Sequence, residues 1–243
     1  MHWPRPPPPT TSRSTRPCSS ATPARSPISR ACGSTIPRSP RPPTGVGSWR
    51  ASSADLAALR SREQQIAFWV NAYNILAIDL VAAHYPVASI RDIGSLLRPV
   101  WKRPAGTVGG RNVTLDEIEH GIVRPFGDPR THAVVVCAST SCPALPREPL
   151  TAARLDAQLD AAVRAWLADR DKGMRIDRAA QTVHLSKIFD WFEEDFAKAG
   201  GVVAFAIRYA PEADRDWLRA HAATARIDYF DYDWAVNALT STR

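Results

Sequence analysis

Residues 64–83, QQIAFWVNAYNILAIDLVAA, constrain the fold of this chain more than any other stretch. They contain no glycine or proline and are apolar on nearly every helical face. The expectation is a helix buried on all sides at the centre of a domain. A membrane span would suit the length, but Asn71, Asn74 and Asp79 make it costly, and Glu63, Gln64 and Gln65 crowd one end. The chain is therefore not expected to be an integral membrane protein. Asn71 and Asn74 stand at i and i+3 on one side of this helix. A buried amide needs partners, so both either anchor neighbouring backbone or line a site.

Charge divides the chain in two. Residues 1–50 hold eight arginines, no Lys, Asp or Glu, and 12 of the 21 prolines, whereas residues 51–243 carry 23 basic and 24 acidic groups. The overall charge of +7 thus belongs to the first segment. The remainder lacks a broad basic footprint, and no nucleic-acid partner is expected. The Pro/Arg/Ser-rich segment cannot bury enough apolar surface to fold. It has no apolar run of a secretory signal, and its prolines oppose the helix of a transit peptide. Two readings of residues 1–52 stay open, a disordered segment or an out-of-frame translation. Residues 53–240 are read as one α+β domain.

Short elements follow the apolar helix. Residues 54–62 read as a short helix before it. A hairpin is expected around Gly109-Gly110, with 106–108 and 111–114 as its strands. Thr114 and Glu117 form a capping box for a helix over 115–124, which carries Glu119, His120 and Arg124. Residues 151–169 make an amphipathic helix, and 175–177 with 182–185 a second hairpin. Ser186 caps a helix over 187–199, two short helices cover 202–209 and 212–222, and 226–230 closes as a strand. Hairpins mixed with separate helices indicate α+β rather than a βαβ series.

The chemistry concentrates in HAVVVCASTSCP, residues 132–143. The β-branched run is expected to be a strand with His132 at one end and Cys137 at the other. Five residues apart, the two fall on opposite faces of a regular strand, so a direct pair needs a bulge. Cys137 then points into packing, while Cys142, beyond a small-residue turn, is the more exposed thiol. Thiol chemistry at Cys137 or Cys142, with His132 or His120 as base, needs a lowered thiol pKa. Zinc binding by both cysteines with His120 and His132 lies at the edge of ligand spacing, and no metal site is expected. A Cys137–Cys142 disulfide is a third option.

Six blocks in order resemble the domain-of-unknown-function 547 family: AFWVNAYN (67–74), HYPVASIRDIG (84–94), LDEIEHGIVR (115–124), DPRTHAVVVCASTSCPAL (128–145), LSKIFDWFEEDF (185–196) and FDYDWAVN (230–237). The resemblance implies no established activity. Bacterial members resemble exported proteins, yet the Pro/Arg segment stands where a signal peptide would be expected, so no compartment is assigned. A distant likeness to transglutaminase-like or papain-like domains places Asn71 where their nucleophilic cysteine would stand.

The leading functional expectation is a binding or interaction domain with a polar cleft lined by Asn71, Asn74, Glu119, His120, Arg124 and Asp233. Its partner would be an unidentified small molecule or protein, and no cofactor is named. The alternative is a thiol-dependent hydrolase or transferase using Cys137 or Cys142 with His132. Deleting residues 1–52 is expected to shift Tm by less than about 2 °C, under about 1 kcal/mol for a domain of this size. A larger loss in a thermal melt would show that the segment packs on the domain.

Overall fold

The protein is described by a computed structural model covering residues 55–95 and 97–238; the expectations for residues 1–52 lie outside the described residues. Helix α1 (Arg62–His84) begins at a full capping box. Ser61 Oγ accepts from Gln64 N at 3.1 Å, and Gln64 Oε1 accepts from Ser61 N at 3.0 Å. It ends before Pro86, where Tyr85 turns extended, as a residue preceding proline prefers. The buried positions Ile66, Ala67, Trp69, Ala72, Asn74 and Leu76 lie on several faces, so the helix is wrapped rather than merely laid on the core. By length and composition it would also cross a membrane, but it packs inside protein on most sides.

Strands β1 (Pro104–Val108) and β2 (Arg111–Thr114) form the expected hairpin, with Val108 facing Arg111 and Gly106 facing Val113. Gly109 and Gly110 have φ of 54° and 77°, the positive values that a tight two-residue turn requires. Gly106 lets the hairpin lie directly against Leu76 of α1, where a Cβ would collide with the leucine side chain. Val108, Val113, Leu115 and Ile118 complete this side of the core.

Helix α2 (Leu115–Ile118) starts at the predicted capping box, but it does not run on regularly to Arg124. It widens into a π-helical turn, Glu119–Val123, and tightens into a 3-10 turn, Arg124–Phe126. Pro125 accounts for the end, and the wide turn sits where Glu119 is buried. Such turns recur at functional sites.

The expected strand over 132–137 is absent. His132 lies in a 3-10 helix, Pro129–Ala133, started by Asp128 as N-cap with proline in its first turn. The run that follows is anchored by a side chain instead of a neighbouring strand. Asn74 Nδ2 donates to Val134 O at 2.8 Å, and Val136 N donates to Asn74 Oδ1 at 2.9 Å. One amide thereby replaces a β-ladder, the β-branched run notwithstanding.

Helix α3 (Leu155–Ala168) presents Leu155, Leu159, Val163 and Trp166 inward. Strands β3 (Met174–Asp177) and β4 (Thr182–Leu185) pair antiparallel, and β5 (Arg226–Tyr229) adds parallel to β4. The crossover between β4 and β5 carries four helices, ample chain for a parallel return. These are α4 (Lys187–Trp191), α5 (Glu193–Ala197), α6 (Val202–Tyr209) and α7 (Glu212–His221). The single helix expected over 187–199 breaks at Phe192, whose φ of −119° and ψ of 28° turn its ring toward His132. The expected 54–62 helix shrinks to a 3-10 turn, Leu56–Ala58. Rings of Trp166, Phe189, Phe196 and Phe205 stack from α3 across α4 and α5 to α6 at centroid distances of 4.7, 4.6 and 5.0 Å. The class is α+β, as expected.

Asn74→Leu removes both clamps and leaves a buried N–H and C=O unpaired, at roughly 1–3 kcal/mol each. Urea unfolding is expected to show a loss of about 2–5 kcal/mol; a loss below about 1 kcal/mol would show the clamp to be dispensable.

Candidate functional site

The loop from Cys137 to Cys142 folds back on itself. Ala138 takes the left-handed conformation at φ 63°, costly for a residue with a Cβ. The turn brings Cys142 Sγ within 3.1 Å of the Cys137 amide, which donates to it. Ser139 Oγ donates to the same sulfur at 3.3 Å, and Tyr232 Oη lies 3.3 Å away. Ser139 and Tyr232 hydroxyls are 2.9 Å apart. Cys137 Sγ joins the ring, 3.2 Å from Ser139 Oγ and 3.5 Å from Tyr232 Oη. Both thiols are free.

Cys137 is buried, as expected, but Cys142 is not the more exposed thiol. Cys142 is 2% exposed and Cys137 7%, so the thiol beyond the turn is the deeper one. The residues 231–237 cross over it and are pinned to the loop. Thr140 N donates to Ala235 O at 2.8 Å, Asn237 N to Ala138 O at 2.9 Å, and Asp233 N to Ser141 Oγ at 2.9 Å. Trp191 packs on the Tyr232 ring at 4.7 Å, and Trp234 at 4.5 Å.

Electrostatics set the two sulfurs apart. Burial would push Cys142 up, but hydrogen bonds from Cys137, Ser139 and Tyr232 outweigh it and hold this thiol down at about 6. The hydrogen bond to Cys142, together with burial, pushes Cys137 well above the usual thiol range.

Glu119, on the π-helical turn, is 6% exposed. Burial raises it to about 7, against the hydrogen bond from Tyr73 and the Arg124 charge that favour the carboxylate; the Cys142 charge pushes the same way as burial. Tyr73, itself fully buried on α1, is pushed well above its ordinary value by burial and by the nearby Glu119 and cysteine charges. A buried carboxyl raised to about 7 thus lies within electrostatic reach of a thiol lowered to about 6.

His132 belongs to a different network. Its Nε2 lies 2.9 Å from Asp195 Oδ2, and its ring stacks on Phe192 at 4.4 Å. Arg124 grips the same carboxylate through Nε at 2.7 Å and Nη2 at 3.2 Å, and its Nη1 meets His120 Nδ1 at 3.0 Å. Burial works to raise Asp195, yet the His132 and Arg124 bonds hold it well below the usual carboxylate range. Burial lowers His132 despite Asp195, so a neutral imidazole donating from Nε2 fits both shifts. His120 is lowered by burial and by Arg124.

The remaining predicted residues scatter. Asn71 exchanges two 2.9 Å bonds with the Leu150 backbone, and Asn74 holds Val134 and Val136. Asp233 is exposed and accepts from Ala235 N. A cavity of about 450 Å³ opens elsewhere, lined by Arg62, Asp128, Arg130, Asp156, Asp160 and Tyr209 among others. None of the six residues expected to line a cleft borders it. Among the described residues, no group of three or more His, Cys, Asp or Glu side chains is placed to hold a metal ion. Tyr73, Ser139, Asp195 and Tyr232 were not singled out from the sequence. Tyr232 and Asp195 sit inside quoted blocks, but only the fold shows what they touch.

The Glu119 carboxyl makes a pH signature. Its folded value, about 7, lies above the unfolded value, near 4.3 for a free glutamate. The folded state therefore holds a proton that the unfolded state has lost, so the Glu119 contribution to stability falls as pH rises from about 4.3 to about 7, by roughly 4 kcal/mol, and then levels. Glu119→Gln is expected to remove that decline in urea titrations at pH 4 to 8. A variant with the same decline as the parent would reject a buried, proton-holding Glu119.

The chain matches a family model described as "Protein of unknown function, DUF547" over residues 56–167. No curated protein and no solved structure matches it. Asp195 and Tyr232 reach the site from beyond the matched span. Residues 56–167 include α1 with Tyr73 and Asn74, the Glu119 turn, His132 and both cysteines, and through them the chain is a DUF547 domain-containing protein.

Proposed function

We propose that this domain is a thiol-dependent enzyme, a hydrolase or transferase, with Cys142 as its nucleophile. The observation that carries the reading is the convergence of the Cys137 amide and the Ser139 and Tyr232 hydroxyls on one sulfur. Three groups able to donate suit an anionic acceptor far better than a thiol that must place a proton of its own. His132 is not the base in this scheme, because its contacts are with Asp195, Phe192 and Phe196 and none is with either sulfur. Cys142 loses its proton to the surroundings before substrate arrives, and its thiolate attacks the electrophilic carbon.

Glu119 supplies what the leaving group needs. Protonated near neutral pH, it is able to give a proton to the departing oxygen or nitrogen, and Tyr73 holds its carboxyl in place. The Arg124–Asp195–His132 network ties α5 to the turn that carries Glu119, a positioning role. Tyr232, packed on Trp191, covers the sulfur, so a bulky substrate has to displace its ring. A binding role would fall instead to the 450 Å³ cavity, which none of the six residues expected in a cleft lines and whose Arg130 is bonded to Asp128, Asp156 and Asp160.

The test uses the full chain with Cys18→Ser and Cys32→Ser. The ultraviolet absorbance of thiolate, followed against pH, is expected to titrate near pH 6, to move up in Cys137→Ala and in Tyr232→Phe, and to vanish in Cys142→Ala. A nitrophenyl ester should give a stoichiometric burst that Cys142→Ala abolishes. A thiol titrating above pH 8, or an acyl adduct on another residue, overturns the proposal.

A further inference from the structure

A second thiol sits inside the ring of donors around Cys142. Cys137 Sγ shares the Ser139 and Tyr232 hydroxyls with Cys142, whose sulfur also accepts from the Cys137 amide. A solitary buried cysteine is an inert small hydrophobe and needs no such arrangement. Here a left-handed alanine bends the chain between two free cysteines so that both sulfurs face one space. That geometry suits two sulfurs able to join.

We propose that Cys142 and Cys137 form a peroxide-reducing pair, in which Cys142 reacts with hydrogen peroxide or a small hydroperoxide and Cys137 resolves the product to a disulfide. The proposal rests on the reading of Cys142 as the reactive thiolate. In the first step the Cys142 thiolate attacks one peroxide oxygen. An S–O bond forms, the O–O bond breaks, the sulfur is oxidised by two electrons to a sulfenic acid, and hydroxide leaves. Protonated Glu119 lies near enough to feel the Cys142 charge and turns that hydroxide to water. In the second step the Cys137 sulfur attacks Cys142 Sγ. The S–S bond forms, the S–O bond breaks, and the departing hydroxide takes the Cys137 proton as a second water. Two equivalents of a small thiol then reduce the disulfide, restoring both cysteines and leaving the small disulfide.

Burial favours this class of substrate. At 2% exposure beneath Tyr232, the Cys142 sulfur suits a small peroxide better than a bulky ester. A bulkier ester requires Tyr232 to swing aside. Once the disulfide forms, the Ser139 and Tyr232 hydroxyls lose their anionic acceptor, which loosens residues 231–237 over the loop and admits the reducing thiol.

The experiment treats the full chain, in the Cys18→Ser and Cys32→Ser background, with stoichiometric hydrogen peroxide and dimedone, and reads intact mass and peptide maps. The expected parent product is the Cys137–Cys142 disulfide, two hydrogens lighter, with no dimedone adduct. Cys137→Ser should accumulate a dimedone adduct on Cys142, and Cys142→Ser should leave Cys137 unmodified. An adduct on Cys137, over-oxidation of Cys142 without a disulfide, or no oxidation overturns the pair. If the ester burst and the low thiolate titration survive that result, the peroxide proposal alone falls. If they are absent as well, the nucleophile reading falls with it.

Discussion

The buried amide of Asn74 holds together what would otherwise be two unrelated pieces of chain. Its carbonyl and its NH2 take the N–H of Val136 and the C=O of Val134. The segment after His132 has no strand beside it, so its backbone depends on a side chain for the partners that a sheet would supply. Asn71 repeats the device toward Leu150. With one amide at each of two positions a helical turn apart, α1 sets the course of the loop that carries both cysteines. The thiol geometry follows from where that loop is pinned.

Charge is managed by the same principle of side chains serving irregular backbone. Asp195 receives a guanidinium and an imidazole, and Arg130 is met by three aspartates. Buried or half-buried pairs of this kind add little net stability, but removing one partner strands the other. They fix where α5 and the 128–133 turn lie against their neighbours. The pattern is one of specification more than of strength.

Glu119 and Cys142 share a region of low polarity that tolerates one negative charge better than two. Three neighbouring groups face the sulfur, whereas Glu119 has Tyr73 and a more distant Arg124. Hydrogen bonds therefore favour the charge on sulfur over the charge on carboxyl. The assignment depends on Tyr232, which arrives from more than ninety residues away in sequence from Cys137.

Much of the architecture was readable along the chain because its causes are local. Apolar residues on every face of 64–83 require burial, Gly109-Gly110 requires a tight turn, and Thr114 with Glu117 requires a helix start. The same local logic failed at 132–137. β-branched residues favour a strand only where another strand offers its backbone, and Asn74 filled that place. It failed again at Phe192, where stacking on His132 outweighed helix continuity. The sequence by itself determined the elements and the residue types that matter, Cys137, Cys142, Glu119 and His132 among them. Tertiary structure alone decided which of these meet. It joined His132 to Asp195 rather than to a thiol and gave Cys142 its ring of donors, because contacts between distant segments are set by packing and not by spacing along the chain.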